Sequence, residues 1–424
     1  MRIGEVSKRY GIPINNLYFY INYGLIVPPR PGGQYVFDEK TLADIQLLLE
    51  LKEMEFPLKT IHRILSLFRV SQLEDQQDID DLRYLYLQQL EVLKEKGDRL
   101  EKSMDTLRAK ISSLEARLEA PSRQGGVPLS MLHMLCCPQC GGGLSLSDVE
   151  MNQLHIYSGK LACACGYRAV IQDGIFCTPN RNTSLHDKPE VTRSLYKDLP
   201  PPLISLFQSS YNRMTEHLRA IGTKNKVILE SYINAWFFLH NHQHILERGC
   251  KLIILDKFPE TLLYFKNLID RQNRNFDILY IADSGVAPPL QKGIVDINVD
   301  FFAFNEHNFY HHTFWADHLR PYLKDGAYAV GTYFYFENGY RSMRRLMKEY
   351  PESYHENFHK EYFLKSMEKN FHMLEMEDAG YTTESGENLG FSFHVAGEKM
   401  FLLPYLAGMK GHVEKSRDCL PAQW

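Results

Sequence analysis

Two closely spaced pairs of cysteines are the residues of this sequence best suited to metal chemistry. Cys137 and Cys140 are separated by two residues, and Cys163 and Cys165 by one. Thiolates are soft ligands for Zn²⁺, and two such pairs on facing hairpins supply the four corners of its preferred tetrahedron. Since no corner is left for water or substrate, we expect a structural zinc ion. Buried free thiols are the alternative, and Cys136 could replace Cys137 as a ligand.

A second candidate for metal chemistry is the segment His355-Glu356-x-x-His359. It matches the helical motif in which two histidines one turn apart bind zinc and the glutamate acts as a base. Glu375 or Glu377 could supply a third ligand by spacing. Matches of five residues arise often by chance, and nothing else here resembles a metalloprotease. We therefore prefer to interpret this segment as a solvated helix face.

Charge and composition exclude several classes of protein. Lysine and arginine number 48 against 52 for aspartate and glutamate in 424 residues, which gives a formal net charge of −4. This balance argues against a basic coat for bulk nucleic-acid binding, so any DNA contact must be local. The apolar runs fall far short of the roughly 20 residues of a membrane span, and no signal peptide is recognisable. With 8 cysteines the chain is no disulfide scaffold, and we expect a cytoplasmic, multidomain protein without a membrane segment.

The first predicted domain, residues 1–72, has the punctuation of a winged helix-turn-helix. Gly11 and Pro13 separate two short amphipathic stretches, and a segment rich in proline and glycine leads into the strand-like Gln34–Phe37. Asp38 can then cap a helix whose apolar residues recur at helical spacing. Two short helices across a tight turn, followed by a hairpin and further helices, predict this fold.

Residues 79–119 predict one long helix with a coiled-coil seam. Apolar residues recur at two heptad positions, with Gly97 as the one gap. They are Leu90, Met104, Ile111 and Leu118 at the first position, and Leu93, Leu100, Leu107 and Leu114 at the second. A coiled coil needs a partner helix, so we expect a homodimer. The alternative is an amphipathic helix packed on its own domain. Residues 120–129 follow as a linker by composition.

A series of short motifs in residues 1–70 carries a family resemblance. They are Ile3-Gly4-Glu5-Val6-Ser7-Lys8, Gly11-Ile12, Leu17, Phe19-Tyr20, Tyr23-Gly24-Leu25-Ile26, Pro28, Gly33, Phe37-Asp38-Glu39, Leu42 and Met54-Glu55-Phe56-Pro57-Leu58 with Ile61. With them the domain resembles the DNA-binding domain of the MerR family of transcriptional regulators, in which a coiled coil also mediates dimerisation. The resemblance implies a dimer on double-stranded promoter DNA, a recognition helix at about Ile14–Tyr23 in each major groove, and regulation by twisting the promoter.

The resemblance and the residue types together give a set of candidate DNA contacts. These are Arg2, Lys8, Arg9, Asn15, Asn16, Tyr18, Tyr20, Arg30 and Tyr35. The family usually carries arginines where Tyr18 and Tyr35 stand. Residues 1–70 hold nine Lys and Arg against seven Asp and Glu. Because phosphate neutralisation supplies much of DNA affinity, we expect modest, salt-sensitive binding. A domain kept only for dimerisation is the alternative.

The cysteine module, residues 130–180, precedes an α/β pattern. With Ile171-x-Asp173-Gly174-Ile175 the module resembles a small zinc domain found with some RNA methyltransferases and their activators. Residues 190–424 alternate strand-like and helical segments, which predicts a mostly parallel sheet. Asp256 at a strand end and Ala282-Asp283-Ser284 resemble landmarks of class I methyltransferases that use S-adenosylmethionine. If the cofactor binds, the resemblance places it against Glu230, Asp256 and Asp283.

The glycine-rich loop expected of such an enzyme is missing. After the strand Lys226–Glu230 there is no glycine before Gly249. Glycines let the backbone lie directly against the cofactor, whereas Tyr232, Ile233 and Trp236 would fill that space. We therefore expect a methyltransferase-like domain without catalytic residues, and we do not expect S-adenosylmethionine as a cofactor.

The sequence as a whole predicts a multidomain regulator. Its parts are an all-α winged helix-turn-helix, a long coiled-coil helix, a small zinc-ribbon-like module and an α/β, Rossmann-like, methyltransferase-type domain. The last domain would sense an effector and shape the dimer, and the aromatic segment Phe301–Trp315 suggests a small apolar effector. Two alternatives stay open. One is a methyltransferase tethered to DNA, acting on RNA or a small molecule, and the other is a pseudo-enzyme that binds a protein partner.

Overall fold

The computed structural model describes most of the chain as two compact units, Met1–Ala120 and Pro121–Trp424. The described residues are 1–71, 73–118, 125–180, 187–191, 199–234, 236–272, 276–337, 339–386 and 391–411, with side chains described only to residue 115 in the long helix. Residues 120–124, half of the predicted linker, and the seam side chain of Leu118 therefore lie outside the described residues. Among the described helices, none has both the length and the apolar composition that crossing a membrane requires.

The first unit is helical. Its helices are α1 (Ile3–Tyr10), α2 (Ile14–Asn22), α3 (Glu39–Glu53), α4 (Leu58–Val70) and α5 (Gln76–Leu118). Gly11 takes the left-handed φ of 65° that ends α1 and turns the chain towards α2. The Asp38 carboxylate accepts the Thr41 N–H and so caps α3, as the sequence predicts. The prediction of a strand at Gln34–Phe37 was wrong. In this segment only Val36 pairs, in an isolated antiparallel bridge with Arg2.

The second unit is built on one large mixed sheet. Its strands are β1 (Val127–Pro128), β2 (Ser145–Met151), β3 (His155–Ala162), β4 (Arg168–Gln172), β5 (Ile175–Cys177), β6 (Val227–Ser231), β7 (Lys251–Asp256), β8 (Asp277–Ala282), β9 (Val295–Phe301), β10 (Leu323–Glu337), β11 (Phe371–Met376), β12 (Gly380–Thr382) and β13 (Lys399–Met409). The helices are α6 (Pro201–Ile221), α7 (Phe238–Asn241), α8 (Pro259–Asp270), α9 (Ala303–Tyr310), α10 (Trp315–Leu319), α11 (Tyr340–Glu349) and α12 (Lys360–Met367).

The strand order defines a Rossmann-like, methyltransferase-type domain. The order runs β8-β7-β6-β9-β10-β13-β11, parallel from β8 to β10 and antiparallel at β13. It reverses between β6 and β9, which creates a crevice at the carboxyl ends of these strands, where such sheets bind ligands. Alternate residues of the central strands enter different cores. Leu229 and Ile253 lie in one apolar cluster, and Ile228 and Ile254 lie in the other.

The cysteine module continues this sheet. β5 pairs in parallel with β8, with Phe176 opposite Ile281. The residues predicted as the end of a linker belong to the same structure, because Val127 pairs with Ile156 in the β1–β3 ladder. The Gly125 N–H also donates to the Asp270 carboxylate at 3.0 Å. The predicted cysteine module and the α/β domain therefore share one sheet and are not separate domains.

Candidate functional site

The four predicted cysteines meet at one point of the second unit. Their sulfur atoms all lie within 4.8 Å of one another, and none forms a disulfide. The closest pairs are Cys137 with Cys165 at 3.5 Å and Cys140 with Cys163 at 3.4 Å. A zinc ion with bonds of about 2.3 Å to four thiolates separates the sulfurs by roughly 3.8 Å. The cluster therefore fits a closed zinc site.

Two tight turns position the thiols. Gly141 has φ 73° and Gly166 has φ 97°, conformations that a side chain would strain. Their N–H groups donate to the carbonyls of Cys137 at 2.9 Å and Cys163 at 3.0 Å. Cys136 is not an alternative ligand, since its thiol lies 3.1 Å from the Leu290 carbonyl oxygen instead.

Backbone hydrogen bonds around Cys137 favour the thiolate form of its side chain, which is the form that binds a metal. Burial raises its pKa, but hydrogen bonds from the backbone of Cys140 and Gln139 lower it, so that the pKa is about 7. A zinc ligand must be a thiolate, and these backbone donors favour that form. With four thiols and no open position, the centre would stabilise the fold rather than activate a water molecule.

The carboxyl edge of the parallel sheet carries Tyr232 where the glycine-rich loop would begin. This residue has a φ of 57° and is 7% exposed. Its hydroxyl lies 2.9 Å from the Ser284 carbonyl oxygen and 2.5 Å from His307 Nδ1. Its ring meets Trp315 edge to face at 5.2 Å. The tyrosine side chain therefore occupies the inner end of the crevice between β6 and β9.

The three acidic residues expected to face a cofactor are occupied by the chain itself. Glu230 accepts the N–H groups of Phe238 and Leu239 at 2.7 and 3.0 Å. Asp256 accepts those of Asn234 and Phe258, both at 2.9 Å. Asp283 is hydrogen-bonded in a similar way by the Thr178 hydroxyl at 2.5 Å and the Gly285 N–H at 2.7 Å.

Burial shifts the protonation of these carboxyl groups. It raises the pKa of Glu230 to about 8, of Asp256 to about 7 and of Asp283 to about 6, against the lowering effect of the bonds just described. His307 responds in the opposite sense, because burial lowers its pKa to about 2. The neutral ring can accept the Tyr232 hydroxyl at Nδ1 and donate from Nε2 to the Thr313 carbonyl at 3.2 Å.

A short segment, residues 187–190, covers the same edge. Asp187 pairs with Lys257, and their side chains are 3% and 5% exposed. Asn234 fixes the rest of the segment, since its amide donates to the Lys188 carbonyl at 2.8 Å and accepts the Glu190 N–H at 2.9 Å. Sequence reasoning missed this contact, and the only local signal was the lysine directly after Asp256.

At this crevice, the positions that S-adenosylmethionine would need are occupied by the chain itself. A ribose would need Asp256, whose carboxylate already binds two backbone amides, and a methionine moiety would need the space of Tyr232. Between the end of β6 and Gly249, the described residues include no glycine against whose backbone the cofactor could lie. The residues present do not fit the cofactor.

Two other predicted features differ from their motifs. The segment His355–Phe358 is a single 3-10 turn, and His359 is extended at φ −108°, so the two histidines do not share a helix face. Glu356 accepts the Tyr354 hydroxyl at 2.8 Å. In the aromatic segment, Phe304 and Phe314 stack at 4.9 Å within the core, where they fill space rather than line an open surface.

The predicted DNA contacts all lie in the first unit, and all but one are at least partly exposed. Asn15, Asn16 and Tyr18 are exposed on α2, and Lys8 and Arg9 are exposed at the end of α1, as is Arg2 just before its start. The Arg30 guanidinium lies 4.9 Å above the Tyr35 ring, which is half-buried. Tyr20 is the exception, because it is 4% exposed and its hydroxyl accepts a hydrogen bond from Lys52 at 2.7 Å.

Each of the two units is similar to known proteins. Residues 1–67 match the family described as MerR HTH family regulatory protein. A MerR family transcriptional regulator from Listeria monocytogenes is 24% identical over 28% of this chain and 88% of its own, with a TM-score of 0.24. The N-methyltransferase NodS from Bradyrhizobium japonicum is 12% identical over 52% of this chain and 96% of its own, with a TM-score of 0.35.

A methyltransferase from Aquifex aeolicus that depends on S-adenosylmethionine gives similar figures: 16% identity, 52% and 99% of the two chains, and a TM-score of 0.34. No curated protein matches the sequence. The family match and the strand order distinguish two classes of domain in the chain. Residues 1–67 form a MerR-type helix-turn-helix domain. The second unit has a methyltransferase-type fold by its own strand order, together with a four-cysteine cluster that could hold zinc.

The cluster predicts one zinc ion per chain. Cys163→Ala should lower the bound zinc to near zero, because three thiols leave the tetrahedron open, and should destabilise the second unit. Cys250→Ala, which removes a buried thiol outside the cluster, should keep the metal. Elemental analysis of the purified proteins measures both. Full zinc in the Cys163 variant, or none in the wild type, would contradict this assignment.

The buried ion pair predicts a strong and specific loss of stability. Asp187→Ala removes the ion-pair partner of the buried Lys257 ammonium, and should cost about 3–5 kcal/mol in the free energy of unfolding. The double variant with Lys257→Met should recover much of that loss. Asp148→Ala breaks the exposed pair with Lys160 and should leave the free energy of unfolding nearly unchanged, because solvent screens that pair. Urea unfolding followed by tryptophan fluorescence reports the second unit, which holds all three tryptophans.

Proposed function

We propose that this protein is a homodimeric, cytoplasmic transcriptional regulator of MerR type that binds promoter DNA. In this proposal the methyltransferase-type unit catalyses no methyl transfer and instead senses an effector. The proposal is supported by a contrast between the helix-turn-helix domain and the crevice of the second unit. Residues 1–67 keep a complete helix-turn-helix with an exposed recognition helix, whereas residues of the chain itself occupy the edge where a methyl donor would bind.

The long helix α5 supports the homodimer. It spans 43 residues, which corresponds to about 65 Å of helix. Along it the predicted seam residues Leu100, Leu107 and Leu114 are 66%, 60% and 59% exposed in the single chain. An exposed row of apolar side chains like this is unfavourable in water, and a second copy of the same helix would cover it.

Regulation would follow from linkage between the units. A small apolar effector that binds one arrangement of the dimer more tightly shifts the population towards it. The two coiled-coil-tethered DNA-binding domains would then change their relative angle, and with it the twist imposed on the promoter. The zinc centre would hold the sheet extension β1–β5 in place while this happens.

The DNA-binding function predicts a footprint on the region upstream of the protein's own gene. Protection of an inverted repeat should be present at about 50 mM salt and should weaken steeply towards 200 mM, because phosphate contacts release counterions. Lys8→Ala should weaken binding to all sequences and reduce the salt slope by about one. Lys102→Ala, on the exposed surface of α5, serves as the control. Absence of protection at the lower salt concentration would refute the function.

The seam predicts dimerisation that one substitution can abolish. Leu107→Glu places a charge inside the coiled coil and should shift the protein to monomers at micromolar concentration. Ala109→Glu adds the same charge two residues away, on the outer face of the helix, and should leave the dimer intact. Analytical ultracentrifugation distinguishes the two masses. A monomeric wild type, or a dimer insensitive to Leu107→Glu, would count against the proposed assembly.

A further inference from the structure

The exposed face of the recognition helix α2 carries no charge. The helix, Ile14–Asn22, contains neither lysine nor arginine nor an acidic residue. Its buried residues, Leu17 and Tyr20, face the core of the first unit. The opposite face therefore presents amides and aromatic rings where DNA-reading helices commonly present cations.

Four residues form that opposite face. Asn15, Tyr18, Phe19 and Asn22 are spaced at i, i+3, i+4 and i+7, which places them on one side of a helix. Tyr18 and Phe19 are 44% and 47% exposed. The amides of Asn15 and Asn22 are exposed, and within the described part of the chain they make no side-chain hydrogen bond.

The wing fixes one of the two rings. The Tyr18 ring meets the Tyr35 ring at 6.1 Å, and the Arg30 guanidinium lies over the Tyr35 ring at 4.9 Å. Arg30 also donates to the Gly33 carbonyl at 2.9 Å. Because these contacts connect Tyr18 to the segment around residue 33, its orientation is set before DNA binds. The Phe19 ring meets the rings of two neighbours in sequence, Tyr20 at 5.9 Å and Tyr23, just after α2, at 5.7 Å.

The chemistry of this face matches A·T base pairs. In the major groove an asparagine amide can bind the N6 and N7 edge of adenine in a bidentate manner, and an apolar ring can contact the C5-methyl group of thymine. Guanine is read most often by arginine or lysine, and α2 has neither. The exposed cations Lys8 and Arg9 lie on α1, where they suit phosphates rather than base edges.

We infer that α2 reads A·T base pairs, with Asn15 and Asn22 on adenines and with Phe19 and Tyr18 against thymine methyl groups. This inference rests on the proposed DNA-binding function and adds the class of operator sequence to it. Each half-site would hold consecutive A·T pairs opposite the helix, and affinity for it would depend on the methyl groups as well as on hydrogen bonds.

The test is selection of duplexes from a randomised library with the full-length, zinc-loaded protein. The expected half-sites are A·T pairs. Replacing their thymines by deoxyuridine keeps every hydrogen bond and removes only the methyl groups, and it should weaken wild-type binding about three- to tenfold. Phe19→Ala should weaken binding to the thymine duplex by a similar factor and be insensitive to the replacement. Gln46→Ala, exposed on α3, should retain the full wild-type response.

The possible results separate the inference from the function on which it rests. Selection of guanine-containing half-sites, or an A·T site that deoxyuridine does not weaken, would overturn the inference while DNA binding stands. If Asn15→Ala leaves the adenine preference unchanged, the assignment of that residue is wrong. Recovery of no specific sequence would overturn both the inference and the proposed function.

Discussion

The buried hydroxyl of Tyr232 connects the two sides of the crevice in the second unit. A bulky residue in the left-handed region is strained by about 1–2 kcal/mol, and the surrounding structure must hold it there. Here the ring packs against Trp315, and the hydroxyl lies within hydrogen-bond distance of both His307 and the Ser284 carbonyl. These contacts connect the ends of β6 and β8 to α9 across the crevice. A glycine-rich loop would leave that crevice open, whereas this turn joins its two sides.

The acidic residues follow from the same arrangement. In an open crevice, carboxylates at strand ends stay solvated until a ligand arrives. In this protein they are buried, and their pKa values rise, because the chain covers them. Glu230 and Asp256 then hold the N–H groups of Phe238 and Asn234, so the positions that resemble cofactor ligands serve as internal supports. The Asp187–Lys257 pair adds an ionic contact across the same edge.

Local patterns were enough to predict the fold class and the cysteine cluster. Within each cysteine pair only one or two residues separate the thiols. Gly11 and Pro13 mark the turn between the first two helices. What could not be predicted depends on contacts between distant residues. The pairing of Phe176 with Ile281 joins the cysteine module to the sheet, and no periodicity encodes it. Tyr20 was misplaced because its ring packs into the apolar core of the first unit, which is assembled from residues distant in the sequence. The wing forms one bridge to Arg2 where its sequence pattern suggested a strand.

We expect the second unit, which has a methyltransferase-type fold, to bind no S-adenosylmethionine, because the residues at the crevice do not fit this cofactor. The decisive experiment is calorimetric titration of the zinc-loaded protein with S-adenosylmethionine and with S-adenosylhomocysteine, with the thermal unfolding midpoint recorded in parallel. No binding heat and no rise in the midpoint are expected at millimolar ligand. Micromolar binding with a matching rise in the midpoint would contradict this expectation, because the turn at Tyr232 would then have to admit the cofactor.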